Sequence, residues 1–323
     1  MTIRHARARW SRFTSARPPV DPGRPGGPAE LPAGTWAGRD LRYAPTSASQ
    51  RLDLYLPAPP PRASVWPGAA AGALPVVLTI HGGAFAVGDK RDDLPVAAAL
   101  VRAGYAVASV NYRLSGEARF PAAVQDVKAA LRWLRAHAGE YGLDPERIAA
   151  SGASAGAYLA VMIGATAGVP MYDDPALGNA GVRSDVRAVI DFYGPVNFAS
   201  MDAQARANPR CGAPDAAHGR RGSPESRFLG RMVATAPQLV RVASPLHYLG
   251  RGPLPSFLLE HGDADCVVPH GQTLELADAL RAAGAPAVEV SILPGAGHGP
   301  AFPTAERLPV VLDFLTRTLD LDR

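Results

Sequence analysis

Ser154 stands at the centre of Gly152-Ala153-Ser154-Ala155-Gly156. A serine hydroxyl is a poor nucleophile at its own pKa and needs a neighbouring base. His298, inside Pro294-Gly295-Ala296-Gly297-His298-Gly299, is the candidate base. The base needs an acid that orients the imidazole and stabilises its positive form. His261-Gly262-Asp263-Ala264-Asp265 offers two, with Asp265 the choice and Asp263 the reserve. Negative charge developing on a carbonyl oxygen calls for backbone N–H donors. The loop His81-Gly82-Gly83-Ala84 and the N–H of Ala155 are the candidates for that role. Together these residues spell acyl transfer through a covalent serine intermediate. The other histidines (5, 81, 137, 218, 247, 261 and 270) read mostly as ordinary surface or loop residues, with His261 structural rather than catalytic.

A five-residue Gly-x-Ser-x-Gly pattern arises often by chance, so the elements around it decide its weight. Ile148–Ser151 reads as a short strand running into Gly152, and a helix follows from Ala155 to Gly164. That is the strand–turn–helix setting in which a serine projects from a sharp tip. Leu74–Ile80 is a continuous apolar run, as for a strand buried on both faces, and His81 follows it directly. Val288–Leu293 precedes the His298 loop, and Pro255–Glu260 precedes the two aspartates. Gly-rich loops at the carboxyl ends of strands are where open α/β sheets handle ligands. Arg51–Leu56 alternates as a half-buried strand, while Tyr105–Val110 and Val186–Tyr193 read as further strands. Helices are expected at 92–103, along the face of Val124, Val127, Leu131 and Leu134, at 271–283 and at 304–319. Strands alternating with helices imply an α/β fold, a mostly parallel central sheet with helices on both faces.

Residues 1–35 are rich in Arg, Pro and Gly and read as a flexible arm. The catalytic domain then runs over 36–323, with a polar, Arg-rich, lid-like insertion around 200–245 that breaks the alternation. A loop is expected at 57–73. The net charge of +4 owes much to the N-terminal end: the chain's first forty residues carry seven arginines against three acids. Charge on a Pro-rich terminus, without a basic stripe on a folded face, excludes nucleic acid as the expected partner. No apolar run reaches spanning length and the N-terminus lacks an apolar signal core, so no membrane association and a cytoplasmic setting are expected. Cys211 and Cys266 are the two cysteines, without a Cys/His cluster for zinc. Two free thiols are the plain reading; a bridge between them stays open, because sequence does not fix its geometry.

The chain resembles the carboxylesterase/lipase branch of the α/β-hydrolases, and within it the feruloyl-esterase-like group called BD-FAE. The resemblance is carried by Leu52-Asp53-Leu54-Tyr55-Leu56-Pro57, His81-Gly82-Gly83-Ala84-Phe85 with Gly88-Asp89-Lys90, and Asn111-Tyr112-Arg113. Phe120–Asp126, Tyr141–Pro145, Gly152–Gly156, Ser244-Pro245, His261–Pro269 and Gly297-His298-Gly299 add to it. It spans about residues 42–320. The related hormone-sensitive-lipase-like pattern has a third glycine where Ala84 stands and an aspartate where Ala153 stands. Both departures point to the feruloyl-esterase-like group.

The resemblance implies Ser154, Asp265 and His298 as the triad, and Gly83, Ala84 and Ala155, with Gly82 in the same loop, as the oxyanion hole. It implies structural roles for Arg113 and Asp126. It further implies a carboxylic ester hydrolase acting without metal or organic cofactor on small-molecule esters of short acyl or aryl type. Arylformamidases share a related loop and elbow, so amide cleavage is the alternative; a non-hydrolytic biosynthetic role on the same scaffold is the other.

Overall fold

The computed structural model describes residues 30–60, 72–211, 217–299, 304 and 306–319. Most of the arm expected over 1–35, and most of the loop expected over 57–73, lie outside the described residues. Eight strands form one sheet: β1 (Trp36–Arg42), β2 (Arg51–Leu56), β3 (Leu74–Ile80), β4 (Ala106–Val110), β5 (Leu143–Ala153), β6 (Ala188–Phe192), β7 (Ser256–Gly262) and β8 (Val288–Leu293). Their order is β1-β2-β4-β3-β5-β6-β7-β8. The β1/β2 and β2/β4 pairs are antiparallel and every pair from β4/β3 onward is parallel.

The helices are α1 (Leu94–Arg102), α2 (Ala122–Ala136), α3 (Ala155–Ala165), α4 (Met201–Ala207), α5 (Pro224–Leu229), α6 (Pro237–Val242), α7 (Gly271–Ala282) and α8 (Leu308–Leu319), with single turns between them. Side chains alternate across a strand, and the core divides accordingly. Val76, Leu78 and Ile80 of β3 join Val124, Leu131, Tyr158, Met162 and Leu276 on one face. Val77 joins Leu100, Val101, Val311, Phe314 and Leu315 on the other. The sheet is therefore sandwiched: α2, α3 and α7 cover one face, α1 and α8 the other. Covering both faces lets the central strands read as unbroken apolar runs.

Buried ion pairs pin the loops at the sheet's edges. Asp126 of α2 accepts hydrogen bonds from Arg113 N, Nε and Nη2 and from Gln50 Nε2. Arg307, just before α8, forks onto the fully buried Glu260 of β7 and donates to Ser291 Oγ of β8. That pair fixes the end of the His298 loop against two strands. Among the described residues, no helix is long and apolar enough to cross a membrane.

The described residues of the 200–245 segment include α4, α5 and α6. Cys211 in this segment is bonded to Cys266, beside Asp265, with Cα atoms 5.4 Å apart. The expectation of free thiols is thereby corrected.

Candidate active site

Five carboxyl-end loops of the sheet converge. β5 ends at Ala153 and α3 starts at Ala155, which leaves Ser154 as the single corner residue. Its φ of 55° and ψ of −120° lie outside the ordinary regions for an L-residue. The corner is held by Ser154 N donating to Phe192 O at 2.9 Å and by Tyr158 N donating to Ser154 O at 3.1 Å. Glycine is required on both sides. A Cβ on Gly156 would sit 1.9 Å from Ile80 O, and one on Gly152 2.3 Å from the Gly156 carbonyl carbon.

The loop after β8 carries His298, whose Nε2 lies 3.0 Å from Ser154 Oγ. The loop after β7 carries Asp265, whose Oδ2 lies 2.7 Å from His298 Nδ1. An ionised carboxylate only accepts, so Nδ1 holds the imidazole proton and Nε2 is left to accept the serine hydroxyl. Asp265 is fully buried. Its Oδ1 accepts from Val267 N at 2.8 Å and Val268 N at 2.9 Å. Burial opposes its charge, but hydrogen bonds from His261 and His298 more than offset this and hold it well below the usual carboxylate range. His261 Nε2 reaches both Asp265 Oδ2 at 3.2 Å and Val268 O at 2.8 Å, and Thr273 Oγ1 lies 2.7 Å from its Nδ1. The ring thus positions the acid. Asp263 faces elsewhere: it accepts from Gly295 N at 2.7 Å and pairs with Arg210 at 3.1 Å.

The loop after β3 folds tightly. Gly83 has φ 112°, Ala84 55° and Phe85 61°. Gly83 O accepts from Ala86 N and Val87 N, and a Cβ on Gly83 would lie 2.0 Å from Val87 O. His81 stacks on Tyr112 at 4.5 Å, and Tyr112 Oη donates to His81 O at 3.0 Å, which fixes the loop's root. Gly82, Gly83, Ala84 and Ala155 line one cavity of about 470 Å³ with Ser154 and His298. A cleft of that size suits a small ligand.

Four residues of the cavity wall were given no role in the site by the sequence. Tyr193, directly after β6, sets its ring 4.8 Å from the His298 ring, edge to face. Its position at a strand's carboxyl end was the available signal. Asp93 lies in the cavity wall, where burial, then the neighbouring Asp92 charge, push it up to about 7. His218 and Glu225 come from the 200–245 segment and are buried, not ordinary surface residues. Among the described residues, no group of three His, Cys, Asp or Glu is placed to hold a metal ion.

A serine at a strand–helix corner, backed by a histidine and an aspartate on the following sheet loops, defines the α/β-hydrolase class. The chain belongs to the BD-FAE family, whose profile matches residues 64–280. It is similar to esterase LipQ of Mycobacterium tuberculosis, 31% identical over 262 residues, which cover 80% of this chain and 56% of LipQ. A truncated carbohydrate esterase from gut microbiota superimposes with a TM-score of 0.75 at 32% identity, over 88% of this chain and 96% of that one. Esterase Est2 of Thermogutta terrifontis does so with 0.64 at 25% identity, over 88% and 92%. The chain spans about half the length of the curated relatives it matches.

Proposed function

We propose that the chain hydrolyses carboxylic esters through an acyl-enzyme on Ser154. The observation that carries this is the unbroken line from Ser154 Oγ to His298 Nε2 at 3.0 Å and on from Nδ1 to Asp265 at 2.7 Å. Membership of a family with esterase relatives supports it, and so does the cavity that opens at Ser154.

Ser154 attacks the ester carbonyl as His298 Nε2 takes its proton. The tetrahedral oxyanion is met by backbone N–H groups of Gly83, Ala84 and Ala155. Ala155 is the first helical residue, so its N–H has no intrahelical acceptor to give up. Asp265 keeps the ring in its Nδ1–H tautomer and balances the imidazolium. His298 then gives its proton to the leaving alcohol. Water, deprotonated by His298, attacks the acyl-enzyme, and the collapsing intermediate returns the serine. The backbone N–H survives at Ala84, so alanine serves there as well as glycine would. Short acyl or aryl esters are the proposed substrates, in line with the cavity's volume.

Purified protein assayed on p-nitrophenyl acetate beside N-formylkynurenine tests the reading. Ester turnover that disappears in Ser154→Ala is expected. Fast formamide cleavage without ester turnover would overturn it in favour of an amide hydrolase.

A further inference from the structure

The cavity holds a second imidazole–carboxylate pair that the hydrolytic chain does not use. His218 Nδ1 lies 3.1 Å from Glu225 Oε1, and both residues line the same cavity as Ser154 and His298. They are 6% and 5% exposed. Glu225 Oε2 is buried without a hydrogen-bond partner. A buried acceptor left unpaired costs free energy, and folded proteins leave few of them.

Local structure holds the pair in place. Asp202 of α4 accepts from His218 N at 2.8 Å, and Ser223 Oγ donates to His218 O at 2.7 Å. Ser223 Oγ also caps α5 by accepting from Ser226 N at 3.0 Å. Phe228 lies three residues beyond Glu225, on the same helix face. Its ring stacks 4.1 Å from Phe85, next to Ala84 in the loop after β3. Phe228 O also accepts from Phe120 N at 2.9 Å. The face of α5 that bears Glu225 is thus clamped onto the wall that carries the oxyanion donors.

Burial opposes charge on His218, but the Glu225 carboxylate, with Asp202 behind it, more than offsets this and lifts the imidazole above its ordinary value. A carboxylate oxygen without a partner can only accept, so it calls for a donor. A hydroxyl is such a donor, and a hydrogen bond to a carboxylate is among the stronger kinds.

We propose that the Glu225 carboxylate, in the cavity wall, is a specificity-determining acceptor for a hydroxyl group on the ester substrate, with His218 as the residue that positions it. This rests on the ester-hydrolase reading above. A site built to bond a hydroxyl discriminates against the analogue lacking it, because its own polar group is then left unpaired.

The test is kcat/KM on two matched pairs: glycerol 1-monobutyrate against propyl butyrate, and ethyl 3-hydroxybutyrate against ethyl butyrate. The first varies the alcohol side, the second the acyl side. Wild type is expected to favour the hydroxylated member of at least one pair by about tenfold or more. Glu225→Leu should bring that ratio close to one. Glu225→Gln, which keeps a carbonyl acceptor, should retain part of it. Ratios near one for both pairs in wild type would overturn the proposal, as would a ratio that survives in Glu225→Leu. Should the leucine variant fail to fold, the wild-type and glutamine ratios decide. Turnover of p-nitrophenyl acetate without hydroxyl preference sinks this proposal alone; no turnover of any ester sinks the ester reading itself.

Discussion

Asp265 and Asp263 lie two residues apart, yet the loop gives them opposite surroundings. Asp265 is buried under two histidines and two backbone N–H groups, whereas Asp263 meets Gly295 N and Arg210. Asp265→Asn is expected to lower kcat by about 10⁴-fold, because the amide no longer enforces the Nδ1–H tautomer. Asp263→Asn is expected to lose less than about tenfold, since it leaves every bond to His298 in place. Steady-state kinetics of the two variants checks this, and a reversed order would refute the assignment. Ala84 makes a gentler test. An alanine with φ 55° carries a cost of roughly 1–2 kcal/mol that glycine avoids. Ala84→Gly should therefore keep activity, which needs only the N–H, and leave stability unchanged or up to about 1 kcal/mol higher by urea unfolding, after glycine's extra unfolded-state entropy. At this scale motif and strand order single out Ser154 and His298 and leave Asp265 and Asp263 as alternatives; the fold brings Ser154, His298 and Asp265 together. His218 and Glu225 were not legible, because only tertiary folding brings the 200–245 segment to the cavity.

The strands of the parallel core were readable as apolar runs, and so was the buried face of α2. β1 was not. Gly38 and Asp40 are poor strand formers, and the pairing register slips between Gly38 and Leu41, where Asp40 takes φ 55°. α8 starts at Leu308, four residues later than the apolar pattern suggests. The disulfide was unreadable for a geometric reason: Cys211 and Cys266 are 55 residues apart and only the fold brings their Cα atoms to bonding range. It ties the α4–α5 region to the loop bearing Asp265. Such bonds persist in oxidising compartments, which weighs against the cytoplasmic setting expected from the lack of a spanning run and of an apolar signal core. Closing a loop of this length is worth about 4 kcal/mol in the chain-entropy account. The Cys211→Ala, Cys266→Ala double variant should unfold at markedly lower urea concentration than the oxidised wild type. An unchanged midpoint would show that the bond restrains nothing in the unfolded chain.

For the whole molecule, pH dependence offers a further check. Asp191 of β6 is fully buried, with Gly194 N on one oxygen and no partner on the other. Burial raises it to about 6. The folded state then holds a proton that the unfolded state has already released near pH 4. This group's contribution should therefore fall as pH rises from about 4 to 6, by roughly 2–3 kcal/mol, and Asp93, pushed up to about 7, carries the decline further. Asp191→Asn should flatten that decline in urea titrations across the range. A wild-type profile that rises monotonically, with an unaltered slope in the variant, would contradict it.

The central claim is that Ser154 becomes covalently acylated, and the most direct measurement is to trap it. A p-nitrophenyl phosphonate transfers a phosphonyl group to an activated serine and releases nitrophenol. Intact-mass measurement followed by peptide sequencing should find one phosphonyl group on Ser154, with ester turnover falling in proportion to labelling. Full labelling of Ser154 with turnover preserved, or turnover lost with the label on another residue, would contradict the account.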